Sequence, residues 1–122
     1  MANEIKLTCS LTASKGGSSV SKVRGQFTAT WNGDQYVDRS QVIGTTHELL
    51  EIPAEITTAG VGVFRNLDAT NYVELGVQVS ATFYPLVKIP PGESCIFRLS
   101  IVAAYAKAHT ASVKLAMTVL ED

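Results

Sequence analysis

The sequence predicts an all-β chain: an antiparallel β-sandwich, of jelly-roll type, with about eight to nine strands in a single domain over residues 1–122. Three observations carry this. Apolar and polar residues alternate with period two along several runs, the pattern of a strand with one buried face. Turn-forming residues recur at roughly the 8–12-residue spacing of sandwiches and barrels. No strand–helix–strand alternation is present, which disfavours a parallel sheet. A chain of 122 residues is long enough to bury roughly two-thirds of its unfolded surface without a disulfide or a metal.

The first predicted strand is Glu4–Leu11, with Ile5, Leu7, Cys9 and Leu11 on its buried face and Lys6, Thr8 and Ser10 opposite. Residues 13–21, rich in Ser and Gly, are expected to form a flexible loop. Alternation resumes from Lys22 to Trp31, with Val23, Phe27, Ala29 and Trp31 on one side and Gly25 marking a bulge or a close backbone approach. Asn32-Gly33-Asp34 is expected to close a hairpin, because Asn-Gly suits a turn whose twist matches its flanking strands. Tyr36–Thr46, rich in Thr, Val and Ile, is a strand bent near Gly44, and His47–Ile52 a further one. Residues 53–59 connect.

The stretch from Gly60 to Ser100 is the most informative. Gly60–Arg65 is a short apolar strand, Asn66–Asn71 a turn, and Tyr72–Val79 a strictly alternating strand with Val73, Leu75, Val77 and Val79 on the core face. Thr82–Ile89 follows. Pro90-Pro91-Gly92-Glu93 then forces a turn, since the prolines fix φ and glycine accepts positive φ. Ser94–Ile101 alternates again, Val102–Lys107 continues that run, and the whole is expected to be an antiparallel meander. Ser112–Leu120 is the last strand, with Val113, Leu115, Met117 and Val119 facing inward.

Composition excludes several functions. The net charge is −1 and the cations are scattered singly, which removes the electrostatic footprint of nucleic-acid binding. No apolar run approaches the roughly 20 residues of a membrane helix, and the N-terminus lacks a charged-then-apolar signal segment. The chain is therefore expected to be made in a cytosol. Cys9 and Cys95 sit on apolar faces of their strands and are expected to be buried free thiols. Charged residues are only 17%, below the typical quarter, which suits a surface that is later covered.

Nothing in the sequence forms a catalytic constellation. His47 and His109 are far apart and have no neighbouring cysteine or serine elbow, so a surface or loop histidine is expected at each. Gly60-Val61-Gly62 lies inside a strand and is no phosphate loop. The carboxylates Asp34 and Asp38, Glu48 and Glu51, and Asp68 and Glu74 form no evident acid–base pair. No enzyme activity, cofactor or metal is expected. Trp31 shares a face with Phe27 and is read as core rather than as a sugar platform, whereas Tyr72 and Tyr84 lie opposite the apolar sides of their strands and suit an interface. The face opposite the core, carrying Thr28, Thr30, Gln78, Thr82, Tyr84, Leu86, Ile96 and Ser100, bears few of the charges that normally protect exposed sheets. Subunits are expected to pack on it, as in closed symmetric oligomers.

The segment Val63-Phe64-Arg65-Asn66-Leu67-Asp68-Ala69-Thr70-Asn71-Tyr72-Val73-Glu74-Leu75-Gly76, with Phe83–Glu93 and Phe97-Arg98-Leu99 behind it, resembles small structural proteins of tailed bacteriophages. These carry a "kNLDatNyveiG" segment, an "lkPGE" turn and a final apolar strand. Here Pro90 stands where that pattern has Lys, which stiffens the turn. The resemblance covers about the second half of the chain and rests on turns rather than on active-site residues. It implies a virion component, of the capsid decoration or cement type, with the major capsid protein as partner, a dimer or trimer as its own state, no nucleic acid and no membrane. Its place would be the outer surface of the virion capsid, after assembly in the host cytoplasm. Ser14, Lys15, Gly16, Gly17 and Ser18, together with the N-terminal residues, are then candidates to order on the shell, with Tyr72 and Tyr84 as further contacts. The alternatives are a tail- or fibre-borne β-sandwich binding a host glycan, and a neck or tail structural protein.

Overall fold

The computed structural model describes residues 4–122, apart from the side chains of Val23 and Arg24. All of its regular structure is β, in ten strands that form three antiparallel sheets. The chain divides into two compact units, Met1–Asn32 and Gly33–Asp122.

The first unit is one long hairpin. Strand β1 (Ile5–Lys15) pairs with β2 (Ser18–Ala29) from Ile5 opposite Ala29 to Lys15 opposite Ser18. The Ser/Gly stretch expected to be a loop is therefore mostly strand. Serine and threonine are tolerated on a pleated surface, and only Gly16-Gly17 turns the chain, with Gly16 at φ 58°. Gly25 does mark a bulge: the register slips between Cys9 and Ser10, and Gly25 takes φ 106°. The expected Asn32-Gly33-Asp34 hairpin does not form. β2 is already paired with β1, and residues 30–35 have no regular structure.

The second unit holds eight strands: β3 (Tyr36–Ile43), β4 (Glu48–Leu49), β5 (Ala59–Asn66), β6 (Val73–Val79), β7 (Thr82–Ile89), β8 (Ser94–Arg98), β9 (Tyr105–Ala108) and β10 (Val113–Glu121). One sheet has the order β3-β10-β5-β8 and the other β4-β9-β6-β7. A single core cluster draws on both, including Val37, Ile43, Phe64, Val73, Leu75, Ile89, Ala106 and Leu115. The expected meander is corrected here, because β5 and β6 lie in different sheets and, of the strands from β5 to β8, only β6 and β7 form a hairpin between sequence neighbours. Likewise the run from Ser94 to Lys107 is not continuous. It breaks after Arg98, changes sheet over residues 99–104, and resumes as β9.

Where alternation met a full sheet, it predicted burial well. Val113, Leu115, Met117 and Val119 of β10 are all buried, since β10 lies between β3 and β5. On β6, Val73 and Leu75 are buried as expected, but Val77 is half-buried and Val79 is 56% exposed. The cause is local: β9 covers the edge of β6 only from Val73 to Gly76, so the last residues of β6 pair with β7 alone. A bulge falls at the same place, between Leu75 and Gly76. A methyl group on Gly76 would run into the Tyr84 carbonyl oxygen and lie 2.8 Å from the Cα of Pro85. Gly76→Ala is therefore expected to lower stability by about 2 kcal/mol, an overpacking cost, measured by urea unfolding.

Polar staples hold the crossings between sheets. Gln41, buried on β3, donates from Nε2 to Glu48 Oε1 and to the Leu49 carbonyl, both at 3.1 Å, and its Oε1 accepts from the Glu51 amide at 2.9 Å. Glu48 in turn accepts from the Gly44 amide at 3.1 Å. The bend predicted near Gly44 is thus where the chain leaves the first sheet for the second. These tethers replace most of the strand expected over His47–Ile52, of which only Glu48–Leu49 is extended and paired.

Candidate functional site: a candidate protein interface

The outward face of the β3-β10-β5-β8 sheet is built by strand register. Cross-strand rows place Ser40, Ala116, Arg65 and Ser94 side by side, and next to them Asp38, Thr118, Val63 and Ile96. Because neighbours in a row point the same way, the surface mixes small and β-branched residues with the exposed charges of Asp38, Arg65 and Lys114. Val63 and Ile96 are 40% and 51% exposed, and Val42 and Tyr36 extend the apolar area along β3. Its charges are partly spent within the fold: Thr118 Oγ1 donates to Asp38 Oδ1 at 3.0 Å, and Arg98 pairs with Asp122 at 3.3 Å.

The eight residues expected to share one face do not. Thr28 lies in the hairpin, Gln78, Thr82, Tyr84 and Leu86 in β6 and β7, and Ile96 in β8 of the other sheet, while Thr30 and Ser100 are outside strands. Sequence parity assigned each side chain to a face, but the sheet each strand joins depends on long-range pairing.

The candidate contact residues fall in three places. Ser14, Lys15, Gly16, Gly17 and Ser18 form the exposed tip of the β1–β2 hairpin. Tyr72 precedes β6 and is half-buried; His109 stacks on its ring at 4.5 Å and the Lys88 ammonium sits 4.1 Å from the ring centroid. Tyr84, 52% exposed, lies on β7 two residues before Leu86, which is 79% exposed. Met1–Asn3 lie outside the described residues.

Beside β7 the sandwich opens into an apolar groove of about 350 Å³. Buried Leu50, Leu75 and Ala104 line it together with exposed Leu86 and Ile101. β7 and β8, whose residues also line the groove, are edge strands of their respective sheets. Sequence alternation places Ile101 and Val102 in strands and gives no sign of this groove, because the chain changes sheet there.

Other groups are engaged structurally. His47 bonds Gln78 Oε1 through Nε2 at 2.8 Å and stacks on Phe83 at 5.6 Å. Both cysteines are free, but Cys9 is exposed rather than buried. Cys95 is half-buried against the core, and burial pushes its thiol up. Among the described residues no three His, Cys, Asp or Glu side chains converge as metal ligands, and no helix is long and apolar enough to cross a membrane.

The 66–71 turn that carried the sequence resemblance is held by its own side chains. Asp68 Oδ2 accepts from the amides of Asn71 at 2.7 Å and Thr70 at 3.0 Å, and these bonds hold its carboxyl below the usual carboxylate range. A depressed folded pKa gives stability that is present above the ordinary value and lost as pH falls through the folded one. Asp68→Asn keeps the turn geometry but cannot titrate. The variant is expected to show a shallower fall of melting temperature between neutral pH and strongly acid pH than the parent.

No family model matches the chain, and no curated protein and no solved structure is similar to it. The class that the fold defines is an all-β sandwich of antiparallel sheets.

Proposed function

We propose that this chain is a structural protein of a tailed-phage virion, a capsid decoration or cement protein that clamps neighbouring subunits of the major capsid protein. The outer face of the β3-β10-β5-β8 sheet carries the proposal. It presents Ser40, Ala116, Arg65 and Ser94 in one row and Asp38, Thr118, Val63 and Ile96 in the next, an outward surface that offers both apolar and charged groups to a partner. The resemblance of residues 63–99 to phage structural proteins points the same way.

The jelly-roll reading has its own support. β3 pairs with β10, β4 with β9, β5 with β8 and β6 with β7, so the eight strands nest as one long antiparallel hairpin with its tip at β6–β7. Rolling that hairpin adds the β10–β5 and β9–β6 pairings and gives the two four-stranded sheets of a jelly roll.

Clamping is mechanical. A joint between capsid subunits opens only if the clamp's contacts break, and a standard interface of roughly 800 Å² per partner adds that requirement. Engagement of several subunits by one clamp multiplies it through effective concentration. The rival glycan-binding reading needs an open aromatic platform. Tyr72 is instead engaged by His109 and Lys88, and Phe83 by His47, so these rings are already stacked within the protein.

The test is to mix purified protein with expanded, undecorated capsids and image them by electron microscopy. Regular added density at two-fold or three-fold positions, with the β3-β10-β5-β8 face towards the shell, is the expected result. Bare shells at saturating protein would overturn the proposal.

A further inference from the structure

Asn32-Gly33 is the only Asn-Gly pair in the chain. The side-chain amide carbon of an asparagine can close a five-membered ring with the backbone nitrogen of the next residue. Two things normally keep these atoms apart: the side chain of that next residue, and a backbone held in regular structure. Neither acts at this pair. Glycine has no Cβ, the β1–β2 ladder ends at Ala29, and the β3–β10 ladder starts at Tyr36. Residues 30–35 have no regular structure, and Asn32 is exposed, so water reaches it. A tight hairpin turn would have fixed the pair, but that hairpin does not form.

The other asparagines of the described chain are held. Asn66 is fully buried, its Nδ2 donates to two carbonyls, its Oδ1 accepts from the Asp68 amide, and Leu67 follows it. Asn71 is followed by Tyr72, and its own amide donates to Asp68 Oδ2. Gly33, for its part, is set by packing. A methyl group there would overlap the Glu121 carboxylate, and the Glu121 amide donates to the Gln35 carbonyl at 2.9 Å. Contact with β10 thus favours glycine at position 33, and the same glycine leaves Asn32 open to attack.

We propose that Asn32 is a site of spontaneous deamidation. A solvent base takes the Gly33 amide proton, and the nitrogen attacks Cγ of Asn32. The Cγ–Nδ2 bond breaks, ammonia leaves with a proton from water, and a succinimide ring remains. Water then opens the ring. Cleavage of the new Cγ–N bond gives aspartate; cleavage between the Asn32 backbone carbonyl carbon and the Gly33 nitrogen gives isoaspartate, whose main chain is one carbon longer. The balance is one water consumed and one ammonia released, with no oxidant or reductant. Either product makes the net charge of −1 one unit more negative, in a segment that already holds Asp34. Asn32 is the last residue of the first compact unit and Gly33 the first of the second, so the change falls on their covalent join. It requires neither a capsid nor an enzyme.

The experiment incubates the full chain at neutral and at mildly alkaline pH, beside its Asn32→Ser variant and a synthetic peptide of residues 29–36. Each is followed by intact mass, isoelectric focusing and peptide mapping. The parent is expected to gain the mass of an acid in place of an amide and to focus at lower pH. Conversion is expected to be faster at the higher pH, because the attacking nitrogen must first lose its proton. Mapping is expected to place the change at residue 32, with isoaspartate detected by enzymatic methylation. The full chain is expected to convert within about tenfold of the peptide's rate, as a segment with no local order to open does. Asn32→Ser is expected to keep its mass and charge. Conversion at Asn66 or Asn71 ahead of Asn32, or a full chain slower than that tenfold limit, would overturn the inference.

Discussion

Asn66→Leu is expected to cost about 4 kcal/mol, the largest stability loss of any single substitution argued for this fold. Asn66 ends β5 and is fully buried. Its Nδ2 donates to the Asn71 carbonyl at 2.8 Å and to the Ile89 carbonyl at 3.0 Å, and its Oδ1 accepts from the Asp68 amide at 2.9 Å. Its backbone takes part as well: the amide donates to the Glu93 carbonyl, and the carbonyl accepts from the Gly92 amide, each at 3.0 Å. One residue thereby fastens the 66–71 turn, the end of β7 and the Pro90–Glu93 turn. Leucine shares asparagine's branching but is bulkier and offers no donor or acceptor, so three polar groups lose their partner. Each such orphan costs about 1–3 kcal/mol when it stays buried and less if water reaches it, which brings the sum to about 4 kcal/mol. Urea unfolding measures it. A loss below about 1 kcal/mol would mean that the turn holds without its staple.

The same residue shows how far the sequence was legible. The turn expected over Asn66–Asn71 is found from Leu67 onward, where asparagine and aspartate bond nearby amides, while Asn66 itself is the last residue of β5. That Asn66 is also a core residue binding Ile89, 23 positions away, has no local signature. The same division runs through the fold. The strand over Val73–Val79 and the inward face of β10 follow from alternation, which is a property of neighbouring residues. Sheet membership is not. Sequence neighbours β5 and β6, and again β7 and β8, occupy different sheets because pairing follows the nested order β3–β10, β4–β9, β5–β8 and β6–β7. The meander and the common outer face failed for that one reason. The hairpin failed differently. Its Ser/Gly stretch looked like a loop by composition, although period-two alternation continued through Leu11 and Ala13 and could have been weighed against it.

The outer face of the β3-β10-β5-β8 sheet leads to the prediction with the largest effect on binding. Val63→Asp and, separately, Ala116→Arg are each expected to weaken binding to undecorated capsids by roughly 100-fold or more. An unpaired charge trapped in an interface costs about 3 kcal/mol, and each 1.4 kcal/mol is about tenfold in affinity. Both positions lie on the two inner strands of that sheet, β5 and β10, where a partner surface has least room to yield. Neither supports the core, since Val63 is exposed and Ala116 half-buried on the outer side. Their stability cost is therefore expected to stay near 1 kcal/mol, the span of strand propensities. Lys107→Glu changes more charge than either, but at an exposed position of β9 in the other sheet, and is expected to bind as the parent does. Co-sedimentation of labelled protein with shells across a concentration series gives the three affinities. If Lys107→Glu abolished binding while Val63→Asp and Ala116→Arg did not, the contact face would be the β4-β9-β6-β7 sheet, and the clamp would have to be turned over. If all three bound like the parent, neither sheet face would be the contact, and the edge strands would be next.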